Sequence, residues 1–452
     1  MSIIAALAGY AMLASTPAFT PAPCPAPIAD KARCGTVEVL EDRARPEGRR
    51  IRLNVVVLPS LRPELGLAPM YDIDGGPGLP VSKNAFFYLG DGAAYRDREI
   101  VMVDQRGTGA SHPLRCPELE TASLKEAYPA DAVRRCRAAL EATADLTRYG
   151  TADAVADLED VRRALGHDRI DLFGLSYGTT VALRYIAAHP QRVRAAVLWG
   201  AAPATARPPS SHAVNAEATL RQLLADCAAD PACAAAYPAL ETDLDRALAA
   251  LPAQGEPSRE VFAEKLRSLM YTPMGQRRLP AIVHAAARGD LAPFRDATGA
   301  GPMTGLAAEG MYLSVTCAES LAGHDPAAAV AASRQTRFGD YRLRRQTEAC
   351  RDWPAAPVDP GFYAPVRAET PVLLVSGGRD PATPAKWAAE IARDLPNARQ
   401  VVVEHGGHLF DGLANVDCID RVILAFYAAG SAKGLDTACV ATMTPPPFAP
   451  PG

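Results

Sequence analysis

Apolar positions recur with a period of two from Ile51 to Val57, where Ile51, Leu53, Val55 and Val57 alternate with Arg52, Asn54 and Val56 between the turn residues Pro46-Glu47-Gly48 and Pro59. Side chains of a strand point to opposite faces in turn, so this pattern predicts opening antiparallel strands within Cys34 to Leu58. Met70-Tyr71-Asp72-Ile73 and Ile100-Val101-Met102-Val103 are short apolar runs closed by turn residues, the signature of buried sheet strands. The period then changes. From Thr151 to Leu165, Val155, Leu158, Val161 and Leu165 form a helical stripe, with Thr151 to cap it, Asp153 and Asp157 at its positive end and Gly166 to stop it. A strand is expected at Ile170-Phe173, a helix after Ser176 that stops near His189-Pro190, strands at Val193-Leu198, Val372-Val375 and Val401-Val403, and a closing helix around Ile419, Val422, Ile423 and Phe426. Strands alternating with helices at this spacing predict a doubly wound, mostly parallel sheet of the α/β class.

The alternation is interrupted between Pro203 and about Pro365, a stretch rich in Ala, Leu and Arg that reads as several short helices, with Leu220, Leu223, Leu224 and Cys227 on one face. An insertion that follows one strand and precedes the next is expected to be a cap. The 452 residues therefore divide into a first core segment over 29–202, a helical cap over 203–365, a second core segment over 366–440 and a Pro-rich tail over 441–452 expected to be extended and mobile. Residues 1–28 are read separately: Ile3 to Ala14 is apolar but too short to span a bilayer, and a Pro/Ala-rich segment follows to Ile28, as in a secretory signal with a flexible mature start. No further stretch is long and apolar enough to cross a membrane.

Charge and cysteine content narrow the class. A net charge of -4 without a run of Lys or Arg argues against a nucleic-acid surface or a polybasic membrane patch. Ten cysteines beside a signal-like start imply disulfides in an oxidising compartment, so the mature protein is expected to be secreted or periplasmic. Connectivity is not readable from spacing; the nearest-neighbour pairs Cys24 with Cys34, Cys116 with Cys136, Cys227 with Cys233, Cys317 with Cys350 and Cys418 with Cys439 are the working expectation. Neither a C-x-x-C pair nor a Cys/His cluster with zinc-ligand spacing is present, so no metal or other cofactor is expected.

The chemistry sits at predicted strand ends. Gly174-Leu175-Ser176-Tyr177-Gly178 is a G-x-S-x-G turn between a strand and a helix, where the flanking glycines let the backbone pass and Ser176 stands at a helix N-terminus. A serine nucleophile needs a base and a carboxylate to orient it. Asp380 follows Val372-Val375 in Ser376-Gly377-Gly378-Arg379-Asp380-Pro381, and His408 follows Val401-Val403 in Glu404-His405-Gly406-Gly407-His408. His405 competes with His408, but the two glycines give His408 the approach a catalytic loop requires. For the oxyanion, the donors expected are the backbone N–H groups of Tyr177 and of Gly76 within Gly75-Gly76-Pro77-Gly78, directly after Met70-Ile73.

Together with Asp104-Gln105-Arg106-Gly107-Thr108-Gly109 and Gly378-Arg379-Asp380-Pro381-Ala382-Thr383-Pro384, these motifs resemble the proline iminopeptidase and tripeptidyl aminopeptidase family of α/β-hydrolases over about residues 34 to 430. The resemblance implies the α/β-hydrolase fold with a large helical cap, a secreted serine exopeptidase, and Ser176, Asp380 and His408 as its triad. Two departures stand out: Asp74 replaces the His that precedes Gly-Gly-Pro-Gly in proline iminopeptidases, and Ile73-Asp74 replaces the Asn-Pro of many tripeptidyl enzymes. A carboxylate at position 74 is expected to change the charge near the oxyanion site. Arg106 is read as a scaffold residue. An aminopeptidase must hold the substrate ammonium, and Glu319 in Thr316-Cys317-Ala318-Glu319, which resembles a cap segment of the tripeptidyl group, is the candidate anchor. The expected partner is a peptide or a small acyl substrate, with a carboxylesterase as the alternative activity, and a non-enzymatic binding module on the same fold disfavoured because all three triad residues are present.

Overall fold

The computed structural model describes residues 17–119, 124–299 and 305–451. The signal-like stretch Ile3 to Ala14 lies outside the described residues. Nine strands form one sheet: β1 (Phe19–Ala22), β2 (Arg33–Leu40), β3 (Arg50–Leu58), β4 (Met70–Ile73), β5 (Ile100–Val103), β6 (Ile170–Leu175), β7 (Val193–Trp199), β8 (Val372–Gly377) and β9 (Ala398–Val403), in the order β1-β2-β3-β5-β4-β6-β7-β8-β9. The first three strands and β5 pair antiparallel, and every pair from β5 to β9 is parallel.

The period-two pattern sorts the core into two layers. Tyr71, Val101, Leu172 and Leu374 pack on one face with the helices Thr151–Ala164 and Tyr177–Ala188, while Met70, Met102, Val197 and Val375 pack on the other with the helix Asp417–Ala429. Parallel strands whose crossover helices cover both faces are buried on both sides. All four residues of β4 and of β5 are accordingly buried.

Two expectations about the chain ends are corrected. Phe19–Ala22, read as part of a flexible start, is an edge strand in register with Cys34 to Val37, and the Cys24–Cys34 disulfide closes the turn behind it. Proline tolerates this place because an edge strand leaves one row of backbone groups unpaired. The tail is extended but held: Ala414 N–H donates to Thr444 O, Ala449 N–H donates to Arg277 O, Tyr237 Oη donates to Ala449 O, and the Arg277 guanidinium lies over the Phe448 ring.

Between β7 and β8 the chain is helical. The helices His212–Ala229, Leu240–Ala250, Arg259–Leu269 and Pro273–Ala287 share a core of their own that includes Leu220, Leu244, Phe262, Leu266, Ile282 and Phe294. At roughly 1.5–3 kcal/mol for each fully buried large apolar side chain, that cluster supplies its own cohesion. The later helices Glu309–Val315 and Tyr341–Asp352 belong elsewhere: Met311, Leu313 and Ala349 pack with Leu114, Tyr128 and Tyr149 from the segment after β5. Disulfides Cys116–Cys136 and Cys317–Cys350 brace this second cluster, Cys227–Cys233 braces the first, and Cys418–Cys439 ties the helix Asp417–Ala429 to the turn Ala438–Thr442 that leads into the tail. All five expected cysteine pairs are therefore formed.

Candidate active site

Because β4, β6, β7, β8 and β9 run parallel, their carboxyl ends share one edge of the sheet, where loops from distant parts of the sequence converge. Ser176 follows β6 with φ 55° and ψ -122°, a conformation that costs a non-glycine residue about 1–3 kcal/mol. Its surroundings hold it there: Ser176 N–H donates to Trp199 O at 2.8 Å, and Ser176 O accepts from Thr179 N–H at 2.9 Å and Thr179 Oγ1 at 2.6 Å. The tight packing explains the glycines. A Cβ on Gly178 would lie 2.0 Å from Ile73 O, and one on Gly75 would lie 2.7 Å from Ser176 Cβ. Glycine at these two positions lets β4, its following loop and the serine turn press together.

Asp380 and His408 meet in the next two loops. His408 Nδ1 lies 2.8 Å from Asp380 Oδ2, and both residues are buried. Asp380 Oδ1 accepts Ala382 N–H and Thr383 N–H at 2.7 and 2.9 Å, so the aspartate shapes its own turn while the other oxygen faces the imidazole. Burial alone would raise its pKa, but His408 and the Thr383 hydrogen bonds hold the carboxyl below the usual range. The sequence reading missed Thr383, whose hydroxyl donates to Asp380 Oδ2 at 2.6 Å and lies 3.0 Å from His408 Nδ1. Its sequence signal was its place in the motif Gly378-Arg379-Asp380-Pro381-Ala382-Thr383-Pro384, which gave it no role of its own. The competing His405 is partly exposed and its Nδ1 has no hydrogen-bond partner.

The His408 ring abuts the end of β7, since a Cβ on Gly200 would come within 3.0 Å of Cε1 and 2.9 Å of Thr383 Oγ1. Gly200 directly follows Trp199, the residue whose carbonyl holds Ser176. Trp199 Nε1 donates to His408 O at 3.0 Å, and Tyr271 packs edge-on against the imidazole with centroids 5.1 Å apart. Inserted helices also grip these loops: Arg379 forms a two-pronged pair with Asp226 at 2.9 and 3.0 Å, and Gln276 Nε2 donates to Arg379 O at 3.0 Å.

On the other side of Ser176, Asp74 proves to be an internal brace. It is buried, accepts Gly75 N–H at 2.6 Å and pairs with Lys83, so its charge is spent within the loop. Gly76, Ser176, Tyr177, Thr383 and Glu319 line one cleft, and the buried His408 touches the lining residue Thr383. Glu319 stands in a π-helical turn, Thr316–Leu321, next to the Cys317–Cys350 bridge. Its oxygens accept Thr151 N–H at 2.6 Å and Thr151 Oγ1 at 2.7 Å, and Thr151 Oγ1 is 2.8 Å from Tyr177 Oη. Burial pushes the Glu319 carboxyl up to about 7 against the opposing pull of Thr151. Arg106 is fully buried, its guanidinium bonded to Asp157 and to the carbonyls of Glu41 and Arg148, which makes it a scaffold residue. Among the described residues no group of three or more His, Cys, Asp or Glu is placed to hold a metal.

A hydroxyl at a strained strand-to-helix turn, backbone N–H groups at a helix start and a buried carboxylate–imidazole pair are together capable of acyl transfer. Residues 73–254 match a family model described as alpha/beta hydrolase fold, and residues 334–439 match one described as TAP-like protein. The chain is 23% identical over 467 residues to the serine protease Hip1 of Mycobacterium tuberculosis, covering 90% of this chain and 87% of that protein. It is 26% identical over 476 residues to a tripeptidyl aminopeptidase of Streptomyces coelicolor, covering 92% and 84%. It is also 26% identical over 481 residues to a carboxylesterase B of Mycobacterium tuberculosis, covering 90% and 86%.

Proposed function

This chain is an α/β-hydrolase with serine peptidases among its relatives, and from that premise we propose that it is an aminopeptidase that releases short N-terminal segments from peptides through an acyl-enzyme on Ser176. The mechanism follows from the residues. Ser176 Oγ attacks the scissile carbonyl as its proton passes to His408 Nε2; the N–H groups of Tyr177 and Gly76 receive the oxyanion, each such donor being worth about 3–4 kcal/mol in the transition state. His408 then protonates the departing amine, and water, deprotonated by the same imidazole, hydrolyses the ester. Asp380 keeps Nδ1 protonated and balances the imidazolium. The rate enhancement comes from charge that is balanced before the reaction begins.

The observation that carries the aminopeptidase reading is the buried acid in the cleft wall. Glu319 already accepts two hydrogen bonds from Thr151, and a carboxylate offers about four lone-pair sites, so an α-ammonium can join them. Five disulfides and the signal-like start favour an oxidising compartment, secreted or periplasmic. The second reading, a carboxylesterase, is favoured by the relative of that name and needs no ammonium anchor. Turnover of mono-, di- and tripeptidyl arylamides with free and acetylated N-termini, set against p-nitrophenyl esters, separates the two. The aminopeptidase reading predicts that acetylation lowers kcat/KM at least about tenfold, as expected for loss of a charged hydrogen bond. Ester hydrolysis alone, or arylamide hydrolysis indifferent to blocking, overturns it.

A further inference from the structure

The cleft carries a second charged feature to which neither the sequence motifs nor the hydrolytic machinery gives a role. Arg267, from the helix Arg259–Leu269, and Arg342, from the first turn of the helix Tyr341–Asp352, both line it, together with His212, Tyr271 and Tyr312. One carboxylate serves both guanidiniums. Glu264 Oε1 accepts Arg267 Nη2 at 2.6 Å and Arg342 Nη1 at 3.0 Å. Arg267 Nε also donates to both Glu264 oxygens, at 3.2 and 3.1 Å, and the other contacts are to neutral hydroxyls, Arg267 Nη1 to Tyr271 Oη at 2.8 Å and Arg342 Nη2 to Tyr312 Oη at 3.0 Å. Arg342 Nε is buried without a hydrogen-bond partner.

The surrounding charges leave that surplus standing. His212 adds none, because burial and the two arginines push its imidazole well below the usual range. Glu264 cannot do more than it does: burial would raise its pKa, but Arg267 and Arg342 hold it at about 2, so it is already fully ionised. Lys265 is a further cation of this region: burial lowers its pKa, and Glu264 and Glu309 raise it against the pull of the two arginines. A buried guanidinium, Arg267, and a half-buried one, Arg342, facing one carboxylate form an anion site short of one anion, and guanidiniums fit carboxylates through paired N–H donors.

We propose that Arg342, backed by Arg267, receives a carboxylate of the substrate, so that the enzyme selects peptides bearing an anionic group within reach of the cleft. This rests on the cleft being the peptide site of the proposed aminopeptidase. The carboxylate belongs either to the C-terminus of a short peptide or to an acidic side chain of the released segment, and Arg342 recognises the shared chemistry.

The test compares matched substrates within one protein, so that any loss of folded enzyme cancels. One pair is a tetrapeptide with a free C-terminal carboxylate and the same peptide as its amide; the other is a tripeptidyl arylamide carrying Glu and its Gln counterpart. Wild-type enzyme is expected to favour the anionic member of at least one pair by about tenfold or more in kcat/KM, and Arg342→Gln brings that ratio to about one. Should Arg342→Gln yield no folded protein, Arg342→Lys, which keeps the charge and loses the planar fork, has to lower the same ratio. A ratio near one for both pairs in wild type, or one unchanged in the variant, overturns the proposal. If wild type cleaves no peptide or arylamide but does cleave p-nitrophenyl esters, it is the aminopeptidase reading that falls. The carboxylate preference is then read from mono-p-nitrophenyl glutarate against its methyl ester, with the same two outcomes.

Discussion

At position 383 a single hydroxyl joins the buried acid to the imidazole, donating to Asp380 Oδ2 at 2.6 Å and lying 3.0 Å from His408 Nδ1. Thr383→Val keeps the shape and removes the bridge. Steady-state kinetics are expected to show kcat about tenfold lower with KM little changed, because the hydroxyl positions the base and does not bind substrate. Glu319 gives a pH signature. Its carboxyl lies near 7 in the folded chain against an ordinary value of 4.5, so the proton is bound more tightly folded than unfolded. The resulting contribution to stability is complete below about 4.5 and is lost as pH rises through about 7. An ammonium needs the ionised form, so KM for arylamides with a free N-terminus is expected to fall between about pH 6 and 7.5. Glu319→Gln removes that step, and a KM profile identical in wild type and variant would exclude the anchor.

Inserted helices act on the reacting loops through a few fixed contacts. The Arg379–Asp226 pair clips the Asp380 loop to the helix His212–Ala229, and Gln276 clips it again through the Arg379 carbonyl. Asp226→Ala is expected to lower kcat/KM by about ten- to a hundredfold while leaving the far-ultraviolet circular dichroism spectrum unchanged, since displacements near 1 Å at a reacting group have effects of that size. Most strands were legible in the sequence because each is a short apolar run ending in a turn that carries a motif: Met70–Ile73 and Ile100–Val103 match their predicted limits. The clip was not legible, because its partners lie 153 positions apart and an exposed salt bridge would be written with the same two residue types. Asp74 misled for a related reason. The identity of a carboxylate says nothing about the direction it faces, and here it turns inward to Gly75 N–H and Lys83. The edge strand β1 was hidden by Pro21 within it and by Pro17 and Pro23 on either side, which read as a loop until the pairing with β2 is known.

Across the whole molecule, the sheet sets where the reacting groups meet, and the disulfides and tail set how firmly the outer helices stay on it. The five bridges close loops of 6 to 33 residues, and bridges of this kind contribute about 2–4 kcal/mol each. Reduction is therefore expected to lower Tm by more than about 10 °C and to abolish activity well before the sheet unfolds, as followed by circular dichroism beside arylamide turnover. The reaction at Ser176 is tested most directly by quenching the enzyme in acid during steady-state turnover of a tripeptidyl arylamide and locating any added mass by peptide mass spectrometry. The prediction is one tripeptidyl group esterified to the peptide containing Ser176, absent in Ser176→Ala, whose turnover is lower by at least about 10⁴-fold. An adduct on another residue, or a Ser176→Ala variant that keeps its turnover, would contradict it.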